Sequence, residues 1–316
     1  MKSTEGVLKI IKRELYFAWH SKKILILFLV LISLCGFHLF GLYNESLYAY
    51  DRYRRTERQY IELEIDIVEA LSRPNIRTVE DGVTTITNPI RDDFVNLSIS
   101  VQNMMPQNVA SNFLEFAIFV FCAVLFGIYA GYVAVYDYKY KTFKVLSINY
   151  SQKDIIIGKI ASIIVIMAVV IFVSLIVVFI GSFFVRDLAA SRLPIDEFAL
   201  DILNYEHSLI KQLLLSFAVL AFHTIIGFSI GFISKTMVAP TIAVLLFSFV
   251  VPILGAYDPR NIISYLTHEF FSFVSRFVMF TPADINVYLG IIVIFLITST
   301  LLAASAFISK KRSRYN

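Results

Sequence analysis

Gly158-Lys159 ends the stretch Lys153-Asp-Ile-Ile-Ile-Gly-Lys-Ile160 and looks like the tail of a phosphate loop. A working loop needs Gly-x-x-x-x-Gly-Lys-Ser/Thr, so that its backbone amides cradle phosphates and its hydroxyl holds a metal. Here Lys153 stands where the first glycine is required, and Ile160 stands where the hydroxyl is required. The five histidines, His20, His38, His207, His223 and His268, include no pair four apart, so the helical zinc-protease arrangement is missing. There is no Gly-x-Ser-x-Gly elbow. Cys35 and Cys122 fall inside apolar runs, which suits small core residues better than a disulfide or a metal pair. The chain is therefore expected to be no enzyme and to carry no cofactor. If it moves something, the energy arrives from another protein.

The elements that hold these residues are membrane spans. The chain is 58% hydrophobic and only 16% charged over 316 residues. A bilayer core needs about 20 apolar residues as helix. Six runs qualify: 24–43, 113–136, 157–185, 209–234, 237–257 and 286–309. Residues 261–280 are nearly long enough for a seventh but too charged, with His268, Glu269 and Arg276 inside the run, and 258–285 read as an extracellular shallow or re-entrant hairpin. Within the six spans, Asp, Glu, Lys and Arg occur only near the ends: Glu115 and Lys211 at one side, Lys159 at the other. Carriers driven by ion gradients usually need such groups deeper in the membrane.

Six spans put the 1–23 segment, the 137–156 and 234–236 connections and the 310–316 tail on one side. That side holds sixteen lysines and arginines against four acids, Glu5, Glu14, Asp137 and Asp154. The positive-inside rule makes it cytoplasmic and places the chain in the plasma membrane with both termini inside. Charge sorted by side in this way points to a lipid bilayer and not to nucleic acid. Residues 4–20 space Val7, Leu8, Ile11, Leu15 and Ala18 as a helical face, with Lys9, Lys12, Arg13 and Glu14 opposite, which predicts an interfacial helix with Trp19 at headgroup depth. The outside segment 44–112 predicts a small cap: a helix over 46–72 closed by Pro74, and a hairpin over 76–87 about Asp81-Gly82. A connecting loop, 186–208, is also outside. The fold class is thus all-α and polytopic, with an α(+β) extracellular insertion between the first two spans. Gly127–Gly131 and Gly227–Gly231 predict close helix packing, within one subunit before between two. Pro240 and Pro252 are placed to bend the fifth span.

Residues 137–156 carry the functional content. A short helix over about 139–148 would expose Phe143, Val145, Leu146 and Ile148 beside Lys139, Lys141 and Lys144, with Tyr150 in the following turn. Lysines alone would fix topology; apolar residues among them make a docking surface. The order Asp137, Thr142, Val145-Leu146-Ser147, Ser151 and Ile155-Ile156-Ile157-Gly158-Lys159 resembles the membrane subunits of type-2 ABC exporters. In that family an acid ends the second span, and a Gly-Thr step, a Leu-Leu-Ser-like stretch and an apolar-Gly-Lys segment follow. Lys141, Asn149 and Gln152 replace the family's usual Gly, Pro and Arg.

The resemblance implies a permease subunit paired with a like or related subunit, with two separate ATPase subunits holding the ATP and magnesium. The 139–148 helix, through Lys141, Phe143, Lys144, Leu146, Ile148 and Tyr150, would couple to the ATPase. The turn Ser234-Lys235-Thr236 would make a lesser contact. Export follows from the same resemblance; the aromatic surface of the second span, with Phe116, Phe119, Phe121, Phe126, Tyr129 and Tyr132, would suit an amphipathic peptide, lipid or drug. The competing reading is a non-transporting sensor or immunity subunit that binds through residues 44–112.

Overall fold

The computed structural model describes residues 2–80, 83–199, 208–273, 277 and 279–313. It is a multi-pass, almost wholly helical membrane protein. Five helical stretches among the described residues are long and apolar enough to cross a bilayer: Lys23–Glu62, Pro106–Lys139, Gln152–Ala190, Leu209–Ser234 and Val287–Ile308.

Helix α1 (Lys2–His20) turns at Ser21-Lys22 into α2 (Lys23–Glu62). The sequence reading broke the chain at 44, yet α2 runs on unbroken for 40 residues. No glycine or proline occurs between Gly41 and Glu62 to stop it. It ends where Glu64 adopts a left-handed conformation, φ 55°. Ile65 N–H then donates to the Tyr60 carbonyl and Glu64 N–H to the Ile61 carbonyl, the double bond that closes many helices.

Helix α3 (Ile67–Ser72) follows, then the antiparallel pair β1 (Arg77–Glu80) and β2 (Val83–Ile86), with Arg77 opposite Ile86. The turn expected at Asp81-Gly82 lies outside the described residues. Helix α4 (Pro89–Met104), capped by Asn88, packs back along α2. Phe198 of the short α9 (Ile195–Phe198) closes this layer against Tyr53 and Phe94.

The second apolar stretch joins α5 (Pro106–Ala117), one π-helical turn (Ile118–Cys122) and α6 (Ala123–Lys139). Then come α7 (Phe143–Asn149), α8 (Gln152–Ala190) and α10 (Leu209–Ser234). The last matches its sequence-derived bounds residue for residue. Both glycine pairs work inside this one chain. A Cβ on Gly227 would sit 1.9 Å from the Gly127 carbonyl oxygen, and one on Gly231 would sit 2.8 Å from that of Gly131. No side chain fits there, so α6 and α10 touch backbone to backbone.

Residues 237–257 fall short of the helix expected. Helix α11 (Val238–Leu245) and a π-helical turn (Leu246–Val250) stop at Val251, ahead of Pro252. Pro240 lies in the first turn of α11, where its missing N–H costs nothing, and packs on Gly131 instead of bending a span. Arg260 folds back over the broken end and donates to the carbonyls of Phe247, Val251 and Pro252. Asp258 caps α12 (Pro259–His268) and pairs with the same arginine at 2.7 Å. Helix α13 (Val287–Ser313) lies at the edge of the bundle, along α10.

Candidate functional site

The site grows from the junction of α1, α6, α7 and α8. Helix α6 ends at Lys139; Lys141 takes a left-handed conformation (φ 58°), and Thr142 N–H donates to the Asp137 carbonyl at 2.9 Å. Glycine is the residue that adopts this conformation freely. Lys22 and Lys235 take the same conformation at neighbouring turns, so three turns at this end use lysine where glycine is usual. A cation beside a helix C-terminus is favoured by the helix dipole, which offsets part of the strain at Lys141 and Lys235. Helix α7 runs for two turns, and Ser151 starts α8 by accepting from Asp154 N–H.

Gly158 and Lys159 find their use here. A Cβ on Gly158 would lie 2.7 Å from Ile10, so the glycine lets α1 cross α8 in close contact. Lys159, one residue on, is completely buried. Its Nζ lies 2.6 Å from Asp137 Oδ2 and 3.5 Å from Glu14 Oε1, and donates to the Val133 carbonyl at 2.8 Å. The Tyr136 ring lies 4.4 Å from the same ammonium. Arg13 reaches Asp137 Oδ1 at 2.8 Å and Glu14 at 3.0 Å, and the Thr142 hydroxyl donates to Asp137 as well. Two carboxylates and two cations therefore neutralise each other at one point, and they come from three separated parts of the chain: α1, the end of α6 and the start of α8. Burial pushes the Glu14 carboxyl above its ordinary pKa; Lys159 opposes that and the neighbouring Asp137 adds to it. This chemistry is mechanical: it fastens α1 to the end of α6 and the start of α8. Among the described residues no cluster of His, Cys, Asp and Glu could hold a metal.

Sequence reasoning missed this centre. It read Lys159 as a residue near a span end that closes the family-like motif, and Glu14 as part of the polar face of α1. The buried face of α1 is Ile10, Glu14 and Ala18, whereas Leu8 is exposed with Lys12, Tyr16 and Trp19. The available signal was one lysine set among isoleucines immediately after a glycine.

The expected coupling residues divide into two groups. Leu146 is buried against Ile10 and Ile155, and Phe143 stacks on Tyr138 at 4.4 Å and packs against Phe232. Tyr150 is half-buried in the same small core. These three therefore hold α7 in place, which corrects the expectation that Phe143 and Leu146 face a partner. Lys141, Lys144, Val145 (62% exposed) and Ile148 (77% exposed) point away from the chain. Ser234, Lys235 and Thr236 form the tight turn after α10, and Lys235 Nζ lies 5.1 Å from the Tyr138 ring. The second expected contact thus lies close to the base of α7. No family model, curated protein or solved structure matches the chain.

Proposed function

We propose that this chain is the permease subunit of an ATP-driven exporter, and that α7 receives the stroke of a separate ATPase subunit. The observation that carries this reading is the build of α7. A two-turn helix presents Val145, Ile148 and Lys144 outward, with Lys141 exposed in the turn before it. Its inner face is fixed by Leu146 and Phe143 to α1, α6, α8 and α10, next to a buried four-charge joint. Force applied to Val145 and Ile148 would reach several spans at once, because packed helices move as units. Lys141 and Lys144 would set electrostatic complementarity to an acidic cleft.

In this reading the lysine-rich end is cytoplasmic in the plasma membrane. Residues 237–257 make the remaining crossing: Lys235 sits beside Tyr138 at that end, while Phe270 and Phe273 sit at the other, bonded to Gln212 and Glu115. The segment 44–112 is then an extracellular insertion. A second permease copy or a related subunit completes the pore, and ATP and magnesium belong to the ATPase.

The test compares two sets of variants of the tagged chain purified from native membranes. Val145→Asp with Ile148→Asp should lower co-purifying ATP hydrolysis by about tenfold or more at unchanged thermal stability. Leu146→Ala should instead lower the melting temperature. Undiminished hydrolysis with the first pair, or vigorous hydrolysis by the chain stripped of companions, rejects the proposal.

A further inference from the structure

Exposed apolar side chains on α2, α8 and α13 lie within membrane-spanning runs, where lipid covers them. The far end of α2 has no such cover. From residue 43 to Glu62 the helix continues for about 28 Å at 1.5 Å per residue, and there the chain reads Ile61-Glu-Leu-Glu-Ile-Asp-Ile-Val-Glu69. Ile61, Leu63, Ile65 and Val68 are all exposed, Leu63 to 68% and Val68 to 78%. Four acids alternate with them, and no base occurs between Gln59 and Ser72.

Two of the acids are occupied. Asp66 accepts from the Val68 and Glu69 amides, and Glu69 pairs with Arg73 at 2.6 Å. Glu62 and Glu64 make no ion pair among the described residues. The bases of the preceding turns are turned to their own helix: Arg54 pairs with Glu57, Arg55 bonds the Asp51 carbonyl and Arg58 the Arg54 carbonyl. Glu64 holds the left-handed position that closes α2, where glycine is the easy residue. The backbone therefore reverses there, with Leu63 and Ile65 on either side of an unpaired carboxylate.

We propose that this tip is a docking surface for a cationic polypeptide carrying apolar side chains. The apolar residues supply the desolvated contact, and Glu62 and Glu64 select positive charge. A second copy of the same tip would bring like charges together, and the bilayer ends too far away to cover it. The inference does not depend on the coupling role of α7.

The full chain in nanodiscs of zwitterionic lipid, with an environment-sensitive dye on Val68→Cys, tests it. Cys35 and Cys122 are buried, so the dye reports on the tip. The probe is a short synthetic peptide of alternating leucine and lysine, with the leucine–glutamate peptide and empty nanodiscs as controls. A saturable change in fluorescence with the leucine–lysine peptide alone is expected. Glu62→Gln with Glu64→Gln should weaken it about tenfold and remove its salt dependence, and Leu63→Ser should weaken it at every salt concentration. No saturable change, an equal response to the acidic peptide, indifference to the glutamine pair, or cross-linking of tips to each other in place of peptide binding overturns the proposal. No ATPase enters this assay, so its failure leaves the exporter reading intact, and failure of that reading leaves the tip intact.

Discussion

Two charge clusters, each of two carboxylates and two cations, stand at opposite ends of the protein. At the junction of α1, α6 and α8, Glu14 and Asp137 meet Arg13 and Lys159, and Lys159 is sealed from solvent. In the layer formed by α2, β1 and α4, Asp92 and Asp93 meet Arg52 and Arg77. Arg77 grips Asp92 with two bonds, 2.6 and 2.7 Å, while Asn75 and Asn96 donate to the same carboxylate. Both arginines there are close to half exposed. The stoichiometry is the same, but the solvation differs. In the first cluster one cation, Lys159, has exchanged water wholly for protein, while Arg13 is a third exposed, so the carboxylates depend most on the lysine. In the second, water stands ready to replace a lost arginine.

That difference ranks the outcomes of mutation. Lys159→Met should be the most damaging, because it leaves Asp137 and Glu14 buried with only Arg13. Removing one partner of a buried pair costs about 3–5 kcal/mol, visible as a large drop in melting temperature. Adding Asp137→Leu should recover much of the loss, and failure to recover would mean that Lys159 works through packing alone. Arg77→Ala should cost less, about 1–2 kcal/mol, since Arg52 and two asparagines still serve Asp92. The smallest effect is expected for Glu14→Gln, within about 1 kcal/mol at neutral pH.

Acidity sharpens the contrast. Burial favours protonation of Asp92, but Arg77, Asn75 and Arg52 outweigh it, and its pKa lies below the ordinary 3.8. Its contribution to stability is complete above 3.8 and disappears as pH falls through the folded value. Glu14 behaves oppositely: burial lifts it above 4.5, so stability declines as pH rises from 4.5 through its folded value. Asp92→Asn should flatten the acid limb of a stability–pH curve and Glu14→Gln the limb above 4.5. Identical curves for both variants would erase the distinction between the clusters.

The readable and unreadable parts of the sequence divide along the same line. Apolar runs declare themselves by length, and Leu209–Ser234 is found to the residue. The paired glycines also speak plainly, because only a backbone contact requires such residues at that spacing. The charge centre does not, since Arg13 and Asp137 are 124 positions apart, and nothing local to either names the other. The amphipathic reading of α1 found Leu15 and Ala18 but misplaced Glu14 for the same reason: its partner Lys159 is remote in sequence. The helix expected over all of 237–257 ends early because hydropathy counts residues and not hydrogen bonds, whereas Pro252 stops the helix and Arg260 repairs the exposed carbonyls. On α7 composition named the apolar residues but could not tell the buried Leu146 from the exposed Ile148, which differ only in which neighbour reaches them.

The uninterrupted run of α2 has a mechanical corollary. At 1.5 Å per residue, its 40 residues form a strut about 60 Å long. It leaves α1 at the Ser21-Lys22 turn beside the charge joint and carries the acidic tip at its other extremity. A tilt of about 5° at that turn would carry the tip through about 5 Å over such a length, a displacement as large as a side chain.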